Sequence, residues 1–115
     1  MGLADTTVLI GYHFDAVAIW LNRYGYTEEP GRHSRGLFGA EVAAPRLLEL
    51  HDRIDVPATW FIPGHTIDSF PEACEEIARR DAHGIQHHGW THIGPDGFDD
   101  REAERADMVR GVESI

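Results

Sequence analysis

Four of the eight histidines lie close together in residues 83–92. His88 and His92 stand four positions apart, so one helical turn would bring both imidazoles to one side, within reach of a single metal ion. Imidazole pairs suit zinc and its first-row neighbours, and a carboxylate is the usual third ligand of a catalytic site. A histidine cluster without a metal is the alternative. The elements that position these residues decide between the two.

Two buried apolar strands and a short third strand are predicted, each followed by a helical pattern. The predicted strands are residues 6–14, 58–62 and 83–87. The predicted helices are 16–21, 41–54, 72–82 and 101–115, the last with an apolar stripe of Ala103, Ala106, Met108, Val109 and Val112. Residues 22–38 read as a long irregular loop. The order βαβαβα predicts an α/β fold with a parallel sheet and right-handed crossovers.

Polar side chains follow each predicted strand. His13 and Asp15 end the first strand, where their spacing places them on the same face. His65 follows the second strand, and His88 and His92 follow the third. Because active sites of such folds collect at the carboxyl ends of parallel strands, these residues are expected to meet at one edge of the sheet.

Composition narrows the class of partner. The net charge is −10, and all ten basic residues are Arg. This acidic excess argues against nucleic acid and against an anionic membrane as the main partner. The single Cys74 leaves no intrachain disulfide and is typical of a reducing compartment. With no signal-peptide pattern and no apolar run of transmembrane length, a cytoplasmic location is expected.

Four stretches together carry a family resemblance. They are Phe14-Asp15-Ala16-Val17-Ala18-Ile19-Trp20-Leu21, Ser34-Arg35-Gly36-Leu37-Phe38, Val56-Pro57-Ala58-Thr59-Trp60-Phe61-Ile62-Pro63-Gly64-His65 and residues 83–92. In this order and spacing the chain resembles the polysaccharide deacetylases (the NodB homology domain), which are metal-dependent amide hydrolases acting on N-acetylated sugars. Within them it is most similar to the peptidoglycan-deacetylase-like and cyclic-imidase-like branch. The resemblance implies a distorted (β/α) barrel, of which residues 1–115 supply the first three βα units as a partial domain.

The resemblance also implies a site. Asp15, His88 and His92 stand at the family's metal-ligand positions, for a divalent ion and in the first place zinc. Three protein ligands leave a position for water, whose pKa a metal lowers to about 7. His65 and Trp90 would flank an N-acetylated sugar or a small amide or imide, with rim packing as the alternative.

Arg35 has two open interpretations. It would meet an anionic group of the substrate, or it forms a structural ion pair.

Two features depart from the family pattern. His13 stands where the family has the aspartate that serves as general base. Three interpretations of this change are open: His13 acts as the base, it becomes a fourth metal ligand, or it inactivates the site. Gly84 replaces a glutamate.

The chain also lacks the family's later motifs, since a full barrel needs about 200 residues. An unfinished barrel leaves an open strand edge, which favours self-association or a complementing chain. Two hypotheses stand: the amino-terminal part of a deacetylase-type hydrolase that cleaves non-peptide carbon–nitrogen bonds, or a truncated, non-catalytic remnant that binds metal or carbohydrate.

Overall fold

A computed structural model describes residues 5–23 and 29–115. Its sheet has three parallel strands in the order β1-β2-β3, which are Gly11–His13, Ala58–Ile62 and His83–His87. Tyr12 pairs with Trp60, and Trp60 pairs with Ile85. The parallel order confirms the predicted α/β class, and the bounds of β2 and β3 agree with the predicted strands.

Helices follow each strand. They are α1 Pro30–Phe38, α2 Ala44–Ile54, α3 Gly64–Ser69, α4 Pro71–Ala78 and α5 Arg101–Glu113. Single turns of π-helix lie at Ile19–Arg23 and Gly39–Ala43, and a 3₁₀ turn lies at Pro95–Gly97. The second π turn joins α1 to α2 without a break, because the backbone stays right-handed helical at Gly39 and Ala44.

The predicted loop over residues 22–38 is wrong for its second half, where α1 forms; residues 24–28 of that prediction lie outside the described part. The glycines of this stretch suggested irregular structure, but Gly36 is required where α1 packs closely against Ala16 and Val17. A Cβ there would lie 2.7 Å from Val17 Cγ1 and 2.9 Å from the carbonyl oxygen of Ala16. Glycine therefore lets α1 lie directly against the segment that follows β1.

Two other boundaries differ from the prediction. β1 has three residues, and Val8 and Leu9 ahead of it are 77% and 90% exposed. Apolar type alone predicted a longer strand, but those residues find no covering layer in the described chain. The prediction also missed α3, which begins directly after Pro63, a residue in extended backbone conformation.

The core lies between the sheet and α2 and α4. β2 buries alternate residues, and its Trp60 and Ile62 pack with Leu48 of α2 and Ile77 of α4. The other face of the sheet, which carries His13 and the half-buried Phe61, is more open. The helices thus cover one face of the sheet well and leave the face that bears His13 accessible.

His51 ties α2 to β1. It is 3% exposed; its Nδ1 lies 2.7 Å from the carbonyl oxygen of Val56, and its Nε2 lies 2.7 Å from the Tyr12 hydroxyl. A carbonyl can only accept, so Nδ1 donates to Val56 and Nε2 accepts from Tyr12. A neutral imidazole satisfies both bonds, which explains a buried histidine without a metal.

The apolar stripe predicted for α5 is not buried. All five of its residues are exposed, among them Val112 at 58%. The residue that α5 buries is Gly111, which approaches the backbone of Gly89. α5 is therefore held by a close backbone approach and polar contacts, and its apolar side is uncovered by the described chain. None of the described helices has the length and apolar character needed to cross a bilayer.

Candidate metal centre

Asp15, His88 and His92 come together beyond the carboxyl ends of β1 and β3, and we call them the ligand triad. One possible ligand atom from each lies within 4.8 Å of the others. Asp15 Oδ1 lies 3.3 Å from His88 Nε2, and Asp15 Oδ2 lies 3.4 Å from His92 Nε2. The three side chains are 16–25% exposed, so the triad is walled by protein yet reachable from solvent.

The spacing and the unmet hydrogen bonds of the triad fit a divalent ion. Tetrahedral coordination with bonds of about 2.1 Å places neighbouring ligand atoms about 3.4 Å apart. Asp15 Oδ1 and His88 Nε2 are buried and have no hydrogen-bond partner among the described residues. Because buried polar atoms are nearly always paired, these two atoms are suited to a partner from outside the chain.

The electrostatics favour an ionised carboxylate. Burial by itself raises the pKa of Asp15, but the imidazoles of His88 and His92 beside its carboxylate lower that pKa by more. The net pKa of Asp15 lies well below its usual value. Asp15 is therefore a carboxylate across the physiological pH range, the form that binds a metal.

The two histidines of the triad lie in a loop, so the expected helical turn is wrong. Residues 88–92, the histidine loop, contain two left-handed positions, Gly89 with φ 71° and His92 with φ 65°. Ala16, next to Asp15, is also left-handed with φ 47°. A left-handed non-glycine residue costs roughly 1–2 kcal/mol and persists only where surrounding contacts fix it.

α3 forms hydrogen bonds to the backbone of the histidine loop and to the backbone of Asp15. The backbone N–H groups of Gly64 and His65 donate to the carbonyls of Gly89 and Trp90, at 2.9 and 3.0 Å. The hydroxyl of Thr66, which is fully buried, donates to the carbonyl of Asp15 at 2.7 Å. The sequence reasoning missed Thr66, because α3 itself was not predicted.

α5 holds the histidine loop from the other side. Asp107 accepts hydrogen bonds from the backbone N–H groups of Trp90 and Thr91, each at 3.0 Å. Sequence reasoning also missed Asp107, because it is one carboxylate among many on an acidic helix. Its only sequence signal is its position two turns into the helix that follows the histidines.

His13 lies beside the triad. Its ring centroid is 4.7 Å from that of His88 and 5.5 Å from that of Phe61, and the residue is exposed. Among the described residues the group able to hold an ion consists of Asp15, His88 and His92, without His13. His13 is thus a neighbour of the site that solvent can reach.

His65 and Trp90 contact each other at the rim. Their ring centroids are 5.4 Å apart, the indole N–H of Trp90 donates to Asp68 at 3.2 Å, and the guanidinium carbon of Arg110 lies 3.3 Å from the Trp90 ring centroid. Burial lowers the pKa of His65, and Asp68 opposes that shift. Trp90 is therefore braced between α3 and α5.

The two remaining positions lie on other elements. Arg35 is exposed in the last turn of α1. At Gly84 in β3, an added Cβ would meet nothing within 4 Å, so the space for a larger side chain is present.

Fold and site together define an α/β protein with two histidines and one aspartate gathered at the carboxyl edge of a parallel sheet. The family model described as polysaccharide deacetylase matches residues 38–115. The chain belongs to the polysaccharide deacetylase family, as the resemblance implied.

Relatives and a solved structure agree with this assignment. The chain is 42% identical over 111 residues to a peptidoglycan deacetylase of Helicobacter pylori, covering 96% of this chain and 37% of that protein. It is 33% identical over 102 residues to a peptidoglycan deacetylase-like protein of Gibberella zeae, covering 76% and 28%. A crystal structure of a Mycobacterium smegmatis protein assigned to the polysaccharide deacetylases superposes with a TM-score of 0.82 at 35% identity, over 92% of this chain and 37% of that one. The chain therefore spans between 28% and 37% of the length of these relatives.

Proposed function

We propose that this chain carries the metal-binding part of a hydrolase that removes N-acetyl groups from carbohydrate, cleaving a non-peptide carbon–nitrogen bond. The observation that carries the proposal is the ligand triad, with its ligand atoms within 4.8 Å and two of them lacking a hydrogen-bond partner in the described chain. Zinc is the ion we propose, because a His₂Asp set with an open position suits it.

The substrate class follows from the relatives. Two curated relatives carry peptidoglycan deacetylase in their names. We propose an N-acetylated sugar of a polymer such as peptidoglycan as substrate, with a small amide or cyclic imide as the alternative.

Each residue has a proposed role. Asp15, His88 and His92 would hold the ion, which when bound supplies Lewis acidity toward water and the amide carbonyl. His13 lies next to His88 on the open face and would accept a proton from the attacking water.

The rim residues would bind substrate. His65 and Trp90 would contact a sugar ring at the edge of the site, and Arg35 would meet an anionic group of the substrate.

We further propose that residues 1–115 act as a partial domain whose remaining barrel strands come from further sequence or a complementing chain. The chain covers 37% of the Helicobacter pylori relative, and β3 is an edge of the described sheet. Exposed Val109 and Val112 on α5 would be covered by such a partner or by a second copy. The lone buried Cys74 suits a reducing compartment, and we propose the cytoplasm.

A second candidate function is a non-catalytic module that binds metal or carbohydrate. The observation that favours it is His13, which stands where the family has a general-base aspartate and is outside the ligand triad. Where the non-catalytic module binds metal, the two candidates differ only in whether the site turns over substrate.

Zinc content and acetate release test both candidates. We would measure zinc per chain and acetate released from N-acetylglucosamine oligomers, for wild type, Asp15→Ala and the control His33→Ala, whose histidine is exposed on α1. Zinc retained by wild type and His33→Ala but lost by Asp15→Ala supports the site, and acetate release once the remaining barrel sequence is supplied then favours the hydrolase. Equal zinc in all three proteins contradicts the proposed centre.

His13→Asp is a separate arm of this experiment. We expect no turnover from His13→Asp alone in residues 1–115, because the family's later motifs, including its general acid, are not in this chain. Acetate release by that variant would contradict the need for a partner.

A further inference from the structure

Four hydrogen bonds hold the backbone of the histidine loop to the two helices beside it. Two run from the N–H groups of Gly64 and His65 in α3 to loop carbonyls. The other two run from the loop N–H groups of Trp90 and Thr91, and both end on the carboxylate of Asp107 in α5. A single side chain thus accounts for half of these bonds.

The shape of the loop requires such restraint. Left-handed backbone at His92 is costly and is maintained only when neighbouring contacts fix it. Hydrogen bonds from backbone N–H groups to a carboxylate are stronger than those to a neutral acceptor. Asp107 accepts hydrogen bonds from Trp90 and Thr91, the two residues between the left-handed Gly89 and the left-handed His92. Its carboxylate therefore restrains the backbone between the two left-handed positions.

Two further residues of α5, Arg110 and Gly111, contact the histidine loop and so hold the helix that carries Asp107 against it. At Gly111, one turn further on, an added Cβ would lie 2.6 Å from the carbonyl carbon and oxygen of Gly89. Only glycine allows that approach. Arg110 stacks on Trp90, so α5 contacts the loop through three residues in one turn.

From these contacts we propose that Asp107 is a positioning residue that holds the histidine loop in its metal-binding shape. It binds no substrate and no ion; it acts through the backbone that carries His88 and His92. The inference rests on the proposed metal centre for its effect on affinity, while its effect on the loop backbone is independent of any metal. Loss of partners that orient metal ligands typically lowers metal affinity 10- to 100-fold, and we expect a loss in that range.

The test compares Asp107→Asn with Glu104→Gln. Both variants remove one negative charge from α5 beside the same cleft, but only Asp107 bonds the loop. Amide hydrogen exchange at Trp90 and Thr91 is measured by NMR in metal-free protein, and zinc dissociation constants are measured by competition with a chromophoric chelator.

We expect Asp107→Asn, which keeps one acceptor oxygen for two N–H groups, to speed exchange at least tenfold at one of the two amides and to raise the zinc dissociation constant 10- to 100-fold. Glu104→Gln should leave exchange unchanged. Unchanged exchange in Asp107→Asn, or equal changes in both variants, overturns the proposal. If wild type binds no zinc, the metal centre fails, and the exchange data still decide whether Asp107 anchors the loop.

Asp107→Glu covers the case in which the amide variant does not fold. It keeps the charge and moves the two oxygens by one methylene group. Faster exchange at Trp90 and Thr91 is again the expected result, and wild-type exchange in this variant overturns the proposal.

Discussion

Asp15 Oδ1 lies 3.3 Å from His88 Nε2, and neither atom has a hydrogen-bond partner among the described residues. The two residues follow different strands, β1 and β3, which are separated in the sheet by β2. An ion bound between them would therefore tie together two parts of the fold that are distant in sequence. Binding at this point should be coupled to the stability of the whole domain.

Zinc should stabilise the folded chain. At a free zinc concentration 100 times the dissociation constant, binding to the native state alone adds about 2.7 kcal/mol, a rise in melting temperature on the order of 10 °C. Asp15→Ala should abolish the rise and His33→Ala should keep it. Thermal unfolding followed by circular dichroism, with and without zinc, checks this. A rise of equal size in Asp15→Ala would show that zinc binds elsewhere.

Thr66 should matter more than its small size suggests. Thr66→Val removes the hydroxyl that bonds the Asp15 carbonyl, which keeps only its bond from the Ala18 N–H, and the loss of this buried hydrogen bond should cost about 1 kcal/mol of unfolding free energy. Thr66→Ser retains the hydroxyl and should retain zinc affinity better than the valine variant. Urea unfolding and zinc titration measure both effects. Equal zinc affinity in the two variants would show that the hydrogen bond does not position Asp15.

Two glycines of α1 should respond in opposite directions to alanine. Gly36→Ala forces a methyl group against Val17 and the Ala16 carbonyl and should destabilise the fold by about 1–3 kcal/mol. Gly31→Ala meets nothing within 4 Å and should be neutral or stabilising by about 1 kcal/mol, because alanine is the better helix former. Denaturant midpoints of the two variants provide the comparison. Similar midpoints would contradict the close packing of α1.

Cys74 should react slowly in the folded chain. Burial raises the pKa of its thiol from 9.0 to about 11, so at pH 8 the native thiol should resist a thiol reagent that modifies the urea-unfolded chain rapidly.

The same shift makes the stability of the fold depend on pH. Because the folded chain holds the thiol proton more tightly than the unfolded chain does, the contribution of Cys74 to the free energy of unfolding is fully present below pH 9 and is lost as the pH rises toward 11. Unfolding midpoints of wild type and Cys74→Ala over this range measure it. A parallel decline in both proteins would exclude the thiol as the cause.

The apolar side of α5 should promote association of residues 1–115. Val109→Ser together with Val112→Ser should shift the chain toward monomer in sedimentation velocity experiments, because both valines are exposed. Ala103→Ser, at a small side chain near the start of α5, should have a smaller effect. A wild-type chain that sediments as a monomer at high concentration would contradict association through this surface.

Much of the fold could be predicted from the sequence. Apolar and β-branched content predicted β2, and the position of residues 83–87 after a helical pattern predicted β3 and the α/β order, because strands alternate with helices in a parallel sheet. The spacing of His88 and His92, with Asp15 at another strand end, predicted that three ligand-type side chains meet at one edge. These signals are local in the chain, or depend only on the rule that parallel strands end at a common edge.

The tertiary structure decided what those local patterns could not. The sequence suggested a helical turn for His88 and His92, but contacts from α3 and α5 hold them in a loop with left-handed positions at Gly89 and His92. The roles of Thr66 and Asp107 depend on atoms that meet only after two helices, α3 and α5, have packed against the ends of β1 and β3. Residue type and spacing thus determined which chemistry is available at the sheet edge. The tertiary contacts determined the backbone that presents it, because left-handed backbone and paired hydrogen bonds across elements depend on neighbours distant in sequence.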